Sequence, residues 1–132
     1  MKRYVTAVLD SEGLSALITQ DRKTFSLFRR LQSAGTELVV CANTIVEVSH
    51  ARVNQSKLNW ALSTVKVEPV TEEAAKAAAR LLKAVGLHGH KYAIDATVAE
   101  MALRQPGPVV VLTLDVEDMT ALCGDRVRII GL

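Results

Sequence analysis

Aromatic residues are scarce in this chain. One Trp, two Tyr and two Phe make up 4% of 132 residues, so a core has to be built from Leu, Val, Ile and Ala. Cysteine is nearly absent as well. Cys41 and Cys123 lie in apolar contexts with no Cys or His partner at metal-ligand spacing, which argues against a disulfide scaffold or a zinc ribbon and for buried, reduced thiols. The three histidines form no zinc pattern: His88-Gly89-His90 falls in a loop-like stretch, and no His-Glu-x-x-His spacing occurs. Glycine-rich phosphate-binding signatures and the Gly-x-Ser-x-Gly elbow are missing, so nucleotide-binding P-loop and serine-hydrolase readings have no support. No apolar run approaches the roughly 20 residues that span a bilayer. Met1-Lys2-Arg3 leads into too short an apolar stretch to be a signal peptide, so the expectation is a soluble, cytoplasmic protein with no membrane partner. Excess charge of one sign is lacking too. The net +2 announces no polyanion partner, although a local basic patch matters more than the total.

What the chain does have is aliphatic mass, 49% hydrophobic residues, in short runs that alternate with helical patterns. The length suits one domain spanning 1–132. Strands are expected at 4–9, 37–41, 109–113 and 127–130, and an edge strand or extended link at 65–70, where Pro69 prevents a central position. Helices are expected at 12–19, at 21–34 with Gly35 as its stop, at 43–53, 57–63, 92–104 and 115–123. Thr71 should cap a long, alanine-rich helix to about residue 85, with Glu72 and Glu73 at its positive end. Small residues permit close helix approach, so this helix reads as half of a helical hairpin, joined to the next by a loop at 86–91. The run 109–113 is the most hydrophobic and is expected at the centre of the sheet. The alternation predicts an α/β fold: three α/β/α layers around a mainly parallel sheet.

Four acids stand out on this framework: Asp10, Glu47, Asp95 and Asp115. Asp10 and Asp115 each end an apolar strand and precede a helix. Such a position serves a helix N-cap, and it also places a carboxylate in the crevice at the carboxyl ends of parallel strands. Asp95 continues an apolar stripe through Val98, Ala99 and Ala102, so it should face inward. A buried carboxylate needs a metal, a cation or several donors, and a first-turn position beside orphan N–H groups would be the simpler escape. Glu47 shares a polar stripe with Asn43, His50 and Asn54, which is either a solvated face or the wall of a polar cleft. Crowded carboxylates raise one another's pKa unless a cation neutralises them, and a hard divalent ion such as Mg2+ or Mn2+ suits an all-oxygen site. Trp60 reads as core or interface. Arg22, Lys23, Arg29 and Arg30 group on one helix, as a solvated face or a nucleic-acid contact.

In order, the motifs are Val8-Leu9-Asp10-Ser11, Asn43-Thr44-Ile45-Val46-Glu47-Val48, Asp95-Ala96-Thr97-Val98-Ala99-Glu100-Met101-Ala102 and Thr113-Leu114-Asp115-Val116-Glu117-Asp118. Together, with an alanine-rich helix between the second and third, they make the chain similar to the PIN-domain family, in particular VapC-like toxin ribonucleases. The family often places Phe after the last Asp, where this chain has Met119, a residue of comparable bulk. The resemblance covers nearly the whole chain. It implies a PIN-like domain with an inserted helical hairpin, acting as a metal-dependent endoribonuclease and as the toxin of a toxin–antitoxin pair. Asp10, Asp95 and Asp115 would be ligands to one or two Mg2+ or Mn2+ ions, with Glu47 ligating directly or through water. Ser11, Thr113 and Asp118 would support the ligands from behind, and Arg22, Arg29, Arg30, Arg52 and Lys91 are candidates for phosphate contact. The implied partners are an RNA substrate, a cognate antitoxin whose tail covers the cleft, and a second copy of the chain.

Other readings fit less well. A non-catalytic PIN-like module binding RNA or protein would keep the fold and lack turnover. A receiver-type phosphoacceptor would want an Asp ending a middle strand, where 37–41 runs into Cys41-Ala42, and a late Lys that is absent. A haloacid-dehalogenase phosphatase would want Asp-x-Asp, where the chain has Asp10-Ser11-Glu12.

Overall fold

The computed structural model describes residues 3–132; Met1 and Lys2, the start of the short N-terminal lead, lie outside the described residues. The elements run β1 (Thr6–Leu9), α1 (Ser11–Thr19), α2 (Arg22–Ser33), β2 (Glu37–Cys41), α3 (Ala42–Val48), α4 (Gln55–Ser63) and β3 (Lys66–Glu68). They continue as α5 (Glu72–Val85), α6 (Gly89–Leu103), β4 (Val109–Thr113), α7 (Val116–Cys123) and β5 (Arg128–Gly131). The five strands pair in the order β3-β2-β1-β4-β5, and every pairing is parallel.

Both faces of the sheet are covered, which explains why its strands are apolar throughout rather than alternating. Ala7, Leu9, Leu38, Val40, Val110 and Leu112 face Leu14, Phe28 and Leu58 from α1, α2 and α4. Val8, Val39, Cys41, Val109 and Val111 face Ala78, Leu82, Ala99, Met101, Met119 and Leu122 from α5, α6 and α7. This is the expected three-layer α/β/α arrangement. Its core is aliphatic, with Phe28 the one aromatic side chain among the largest fully buried residues. Both cysteines are free and buried, and burial pushes the Cys123 thiol up to about 11.

The strand order fixes where a site can form. The chain moves outward from β1 through β2 to β3, then crosses back and builds β4 and β5 on the other side of β1. Right-handed crossovers then put the helices before and after the reversal on opposite faces. The reversal lies between β1 and β4, and the crevice at the carboxyl ends of those two strands is the topological switch point. Expectation and structure differ on which strand is central: β1 holds the middle position and β4 sits beside it. Hydrophobicity does not separate the two, because both are buried on both faces.

Two helix boundaries also differ from the sequence reading. The helix expected at 43–53 ends at Val48, because Ser49 turns back on it: its hydroxyl donates to the Ile45 carbonyl at 2.6 Å. No Gly or Pro marks this stop. The loop expected at 86–91 is shorter, since α6 begins at Gly89 and reaches its regular path after a kink at Tyr92 (φ −113°, ψ 16°). The helical hairpin is present as α5 packed along α6. Gly35, with φ 90°, closes the turn after α2 as expected, in a region that other residues avoid.

Candidate active site

Asp10 leaves β1 as the N-cap of α1 and is 6% exposed. Its Oδ1 accepts from the Gly13 backbone N–H at 3.0 Å, and its Oδ2 accepts a short hydrogen bond from the Thr113 hydroxyl at the end of β4. Thr113 Oγ1 in turn accepts from the Asp115 backbone N–H at 2.8 Å. One buried hydroxyl therefore joins the two strand-end acids, and the in-register pair Leu9 and Leu112 brings it to Asp10. Gly13 lets α1 approach this closely, since a Cβ there would stand 3.1 Å from the Leu9 Cβ. Asp10 thus serves as a cap and still keeps lone pairs facing the crevice, because each carboxylate oxygen can accept more than once.

Asp115 occupies the N-cap position of α7, but its side chain makes no capping bond. Its exposed carboxylate is left to the crevice. Asp95 is half-buried on α6, three residues past the kink at Tyr92 and so in the first turn of the regular helix. Its carboxyl is pushed up to about 6, first by burial and then by the charges of Asp115, Glu47, Asp118 and Asp10. Glu47, near the end of α3, is also raised, by burial first, then by Asp10, with further contributions from Asp115 and Glu12; the Ser11 hydroxyl acts in the opposite direction. The four acids singled out from the sequence, together with Asp118, therefore share one electrostatic environment at the switch point.

The sequence did not single out what sets α3 against α6. Asn43 Nδ2 lies 3.4 Å from Thr97 Oγ1, which donates to the Ile94 carbonyl at 2.7 Å. The contact aligns the helix of Glu47 with that of Asp95, and a polar residue at each position was the only signal for it. Thr44 lies one turn before Glu47 on the same face. It is buried, and among the described residues its hydroxyl is the buried side-chain polar atom left without a partner.

The donor set is all carboxylate and hydroxyl oxygen, which fits a hard divalent cation and not a soft one. Mutual repulsion raising Asp95 and Glu47 is what such a cation would relieve. Among the described residues, no three His, Cys, Asp or Glu side chains are placed to hold an ion together as they stand. The basic candidates scatter. Lys91 sits one turn before Asp95, its ammonium 5.2 Å from the centre of the Tyr92 ring. Arg29 lies over the Phe25 ring at 5.9 Å, and that ring is 6.2 Å from Trp60, which is 38% exposed. Arg22 is exposed at the start of α2. Arg30 lines a cavity with Tyr4 and Thr36, at the amino ends of β1 and β2, away from the acids. Arg52 follows α3 in the 49–54 loop.

Comparison with known proteins agrees with this architecture. No curated protein sequence matches the chain. Among solved structures, the crystal structure of VapBC2 from Rickettsia felis bound to a DNA fragment from their promoter matches with a TM-score of 0.69. The alignment covers 96% of this chain and 98% of the other at 14% identity, a likeness of fold. A model of the PIN domain matches residues 7–119, from β1 through the first turn of α7, a stretch that holds all four strand-end and helix acids. By that match and by its fold, the chain belongs to the PIN domain family.

Proposed function

We propose that this protein is a metal-dependent endoribonuclease that hydrolyses RNA phosphodiester bonds. The observation that carries the reading is the meeting of Asp10, Glu47, Asp95 and Asp115 at the switch point of a PIN fold. Asp10, Asp95 and Asp115, with Glu47 beside them, would hold one or two Mg2+ or Mn2+ ions, which when bound supply Lewis-acid charge and a water of lowered pKa. The chain's own residues prepare the site. Gly13 N–H and the Thr113 hydroxyl hold Asp10 so that it cannot rotate away. Thr113 also fixes the backbone of Asp115 and so the start of α7, which carries Asp118. Asn43 and Thr97 keep α3 and α6 together. The acids act as ligands and not as nucleophiles.

A toxin role with a protein antitoxin follows as the finer part of the reading. Its support is local. Leu114 and Val116 flank Asp115 and are 56% and 40% exposed, and Val46 beside Glu47 is 70% exposed. Apolar side chains around an acidic mouth suit a partner segment that covers it, and the Rickettsia felis structure is itself a VapBC2 complex. A second copy of the chain belongs to the same reading. A cytoplasmic place of action belongs to the same reading; among the described residues no helix is long and apolar enough to cross a membrane.

The test is cleavage of a fluorescent RNA panel by purified protein with Mg2+, Mn2+ or EDTA, beside Asp10→Asn and Asp95→Asn. Cutting that requires metal and vanishes in both variants is the expected result. A folded protein that cuts nothing and gains no thermal stability from either metal would instead be a non-catalytic PIN-like binding module.

A further inference from the structure

The acidic mouth creates a difficulty for its own substrate, because carboxylates repel the phosphates that flank the scissile bond. We propose that the cavity between the end of α1 and the 49–54 loop is a phosphate subsite that holds the RNA strand beside the cut. The inference rests on the nuclease reading and names where the strand lies.

The cavity measures about 230 Å3. Ile18 and Val48 form an apolar floor, and Arg52, Lys57, His50 and Asn54 supply its polar wall. No carboxylate lines it, in contrast to the mouth next door. Its position follows from the helices. Val48 directly follows Glu47, and Ser15, on the cavity wall, lies one turn of α1 beyond Ser11, about 6 Å along the axis. A strand leaving the acids across Glu47 and Ser11 therefore meets the cavity next.

Local hydrogen bonds use the acceptor atoms of its polar wall and leave the donors. His50 Nδ1 accepts from the Arg52 backbone N–H at 3.2 Å, which leaves Nε2 as the N–H donor of a neutral ring. Asn54 Oδ1 caps α4 by accepting from the Lys57 N–H at 3.0 Å, which leaves its amide N–H2 group to donate. Two cations and two neutral donors make a set suited to phosphate oxygens, with Arg52 able to engage two at once. The volume falls below the roughly 300–1,000 Å3 of sites that enclose small molecules. It suits one phosphate of a strand that continues past, not a free metabolite.

The experiment compares Arg52→Ala, Lys57→Ala and the double variant in steady-state cleavage of a single-stranded RNA with Mg2+, across a salt series. Arg52→Lys serves as the charge-preserving variant. Arg80→Ala, on α5 in the opposite helical layer, is the control. Each alanine should raise KM about tenfold, the size of a lost charge-assisted hydrogen bond, with kcat unchanged. Each should also lower the salt slope of binding by about 0.7 per lost phosphate contact. Arg52→Lys should keep the salt slope but recover only part of the KM, since an ammonium cannot engage two oxygens as a fork, and Arg80→Ala should match wild type. Wild-type KM and salt slope in the double variant, with RNA still cut, would remove the subsite and leave the nuclease standing. Loss of kcat with KM unmoved, or an equal KM rise in Arg80→Ala, would also overturn it. Poly-glutamate competing as well as RNA would assign the cavity to an acidic protein segment instead. A wild-type protein that cuts no RNA with any divalent metal would overturn the nuclease reading and the subsite together.

Discussion

Thr113 shows how much a single hydroxyl can hold. It is fully buried, donates to Asp10 and accepts from the Asp115 N–H. Thr113→Val keeps the shape and orphans both partners, so it should destabilise the fold by about 1–3 kcal/mol per group left unpaired, read from urea midpoints. Thr113→Ser keeps the hydroxyl and should recover most of that loss. Asp95 makes the opposite kind of contribution. Its folded pKa of about 6 stands above the ordinary 3.8, so the folded chain favours its protonated form. The stability it lends is complete below about 3.8 and is lost as pH rises through about 6. Asp95→Asn should therefore raise the metal-free melting temperature at pH 7 and flatten the pH profile across that window. At this scale the sequence was informative about identity and silent about role. Asp10 and Asp115 share the same strand–Asp–helix setting, yet one makes a capping bond and the other does not. Their backbones distinguish them: Asp10 is extended at φ −83°, ψ −170°, whereas Asp115 sits at φ −97°, ψ 60°, its N–H donating to Thr113.

At the scale of elements, close approach decides most of what the site can do. The first turn of α1 lies against the ends of β1 and β4 because residue 13 has no side chain: a Cβ there would sit 3.1 Å from the Leu9 Cβ and 3.6 Å from the Leu112 carbonyl. Gly13→Ala should press on the Leu9 Cβ, and with the roughly 1 kcal/mol that alanine gains over glycine inside a helix set against the overpacking, the net cost should be about 0–2 kcal/mol, measured by chemical denaturation. The same variant should weaken metal binding, since it moves the turn that fixes Asp10. Helix boundaries explain what the sequence hid. The stop after Val48 is made by a Ser49 hydroxyl and the bend that follows by a His50 ring nitrogen, side chains that bond the backbone locally in place of the helix ladder. Such stops leave no Gly or Pro in the chain. The polar residues of 49–54 therefore look in sequence like one helical stripe with Glu47, when they form a loop after the helix ends at Val48.

At the scale of the whole molecule, alternation of apolar runs and helices was enough to give a parallel sheet covered on both faces, because every strand had to be apolar on both sides. Strand order was not legible in that way. Val109–Thr113 has the stronger hydrophobic run, yet Thr6–Leu9 takes the centre. The position is set by the reversal of the crossovers, which depends on the whole path. One consequence of that path is linkage between cation and fold. A divalent ion that binds only the assembled acids stabilises by mass action, about 2.7 kcal/mol when it exceeds its Kd a hundredfold. Adding Mg2+ should raise the melting temperature, and the gain should grow as pH rises through about 6, where Asp95 gives up its proton. Thermal scans with and without Mg2+ at pH 5 and pH 8 measure it; an equal gain at both would separate the ion from Asp95.

The hydrogen bond from Thr113 to Asp10 spans 103 residues. During synthesis Asp10 emerges first and waits, while β2, β3 and the helical hairpin are made. Its two strand-end partners arrive only with β4, which slots in beside β1. A nascent or truncated chain ending before residue 113 therefore carries a half-built crevice: Asp10 present, Asp115 and Thr113 absent. If the assembled acids cut RNA, a ribosome making this protein is not exposed to it until the codon for Asp115 has been read.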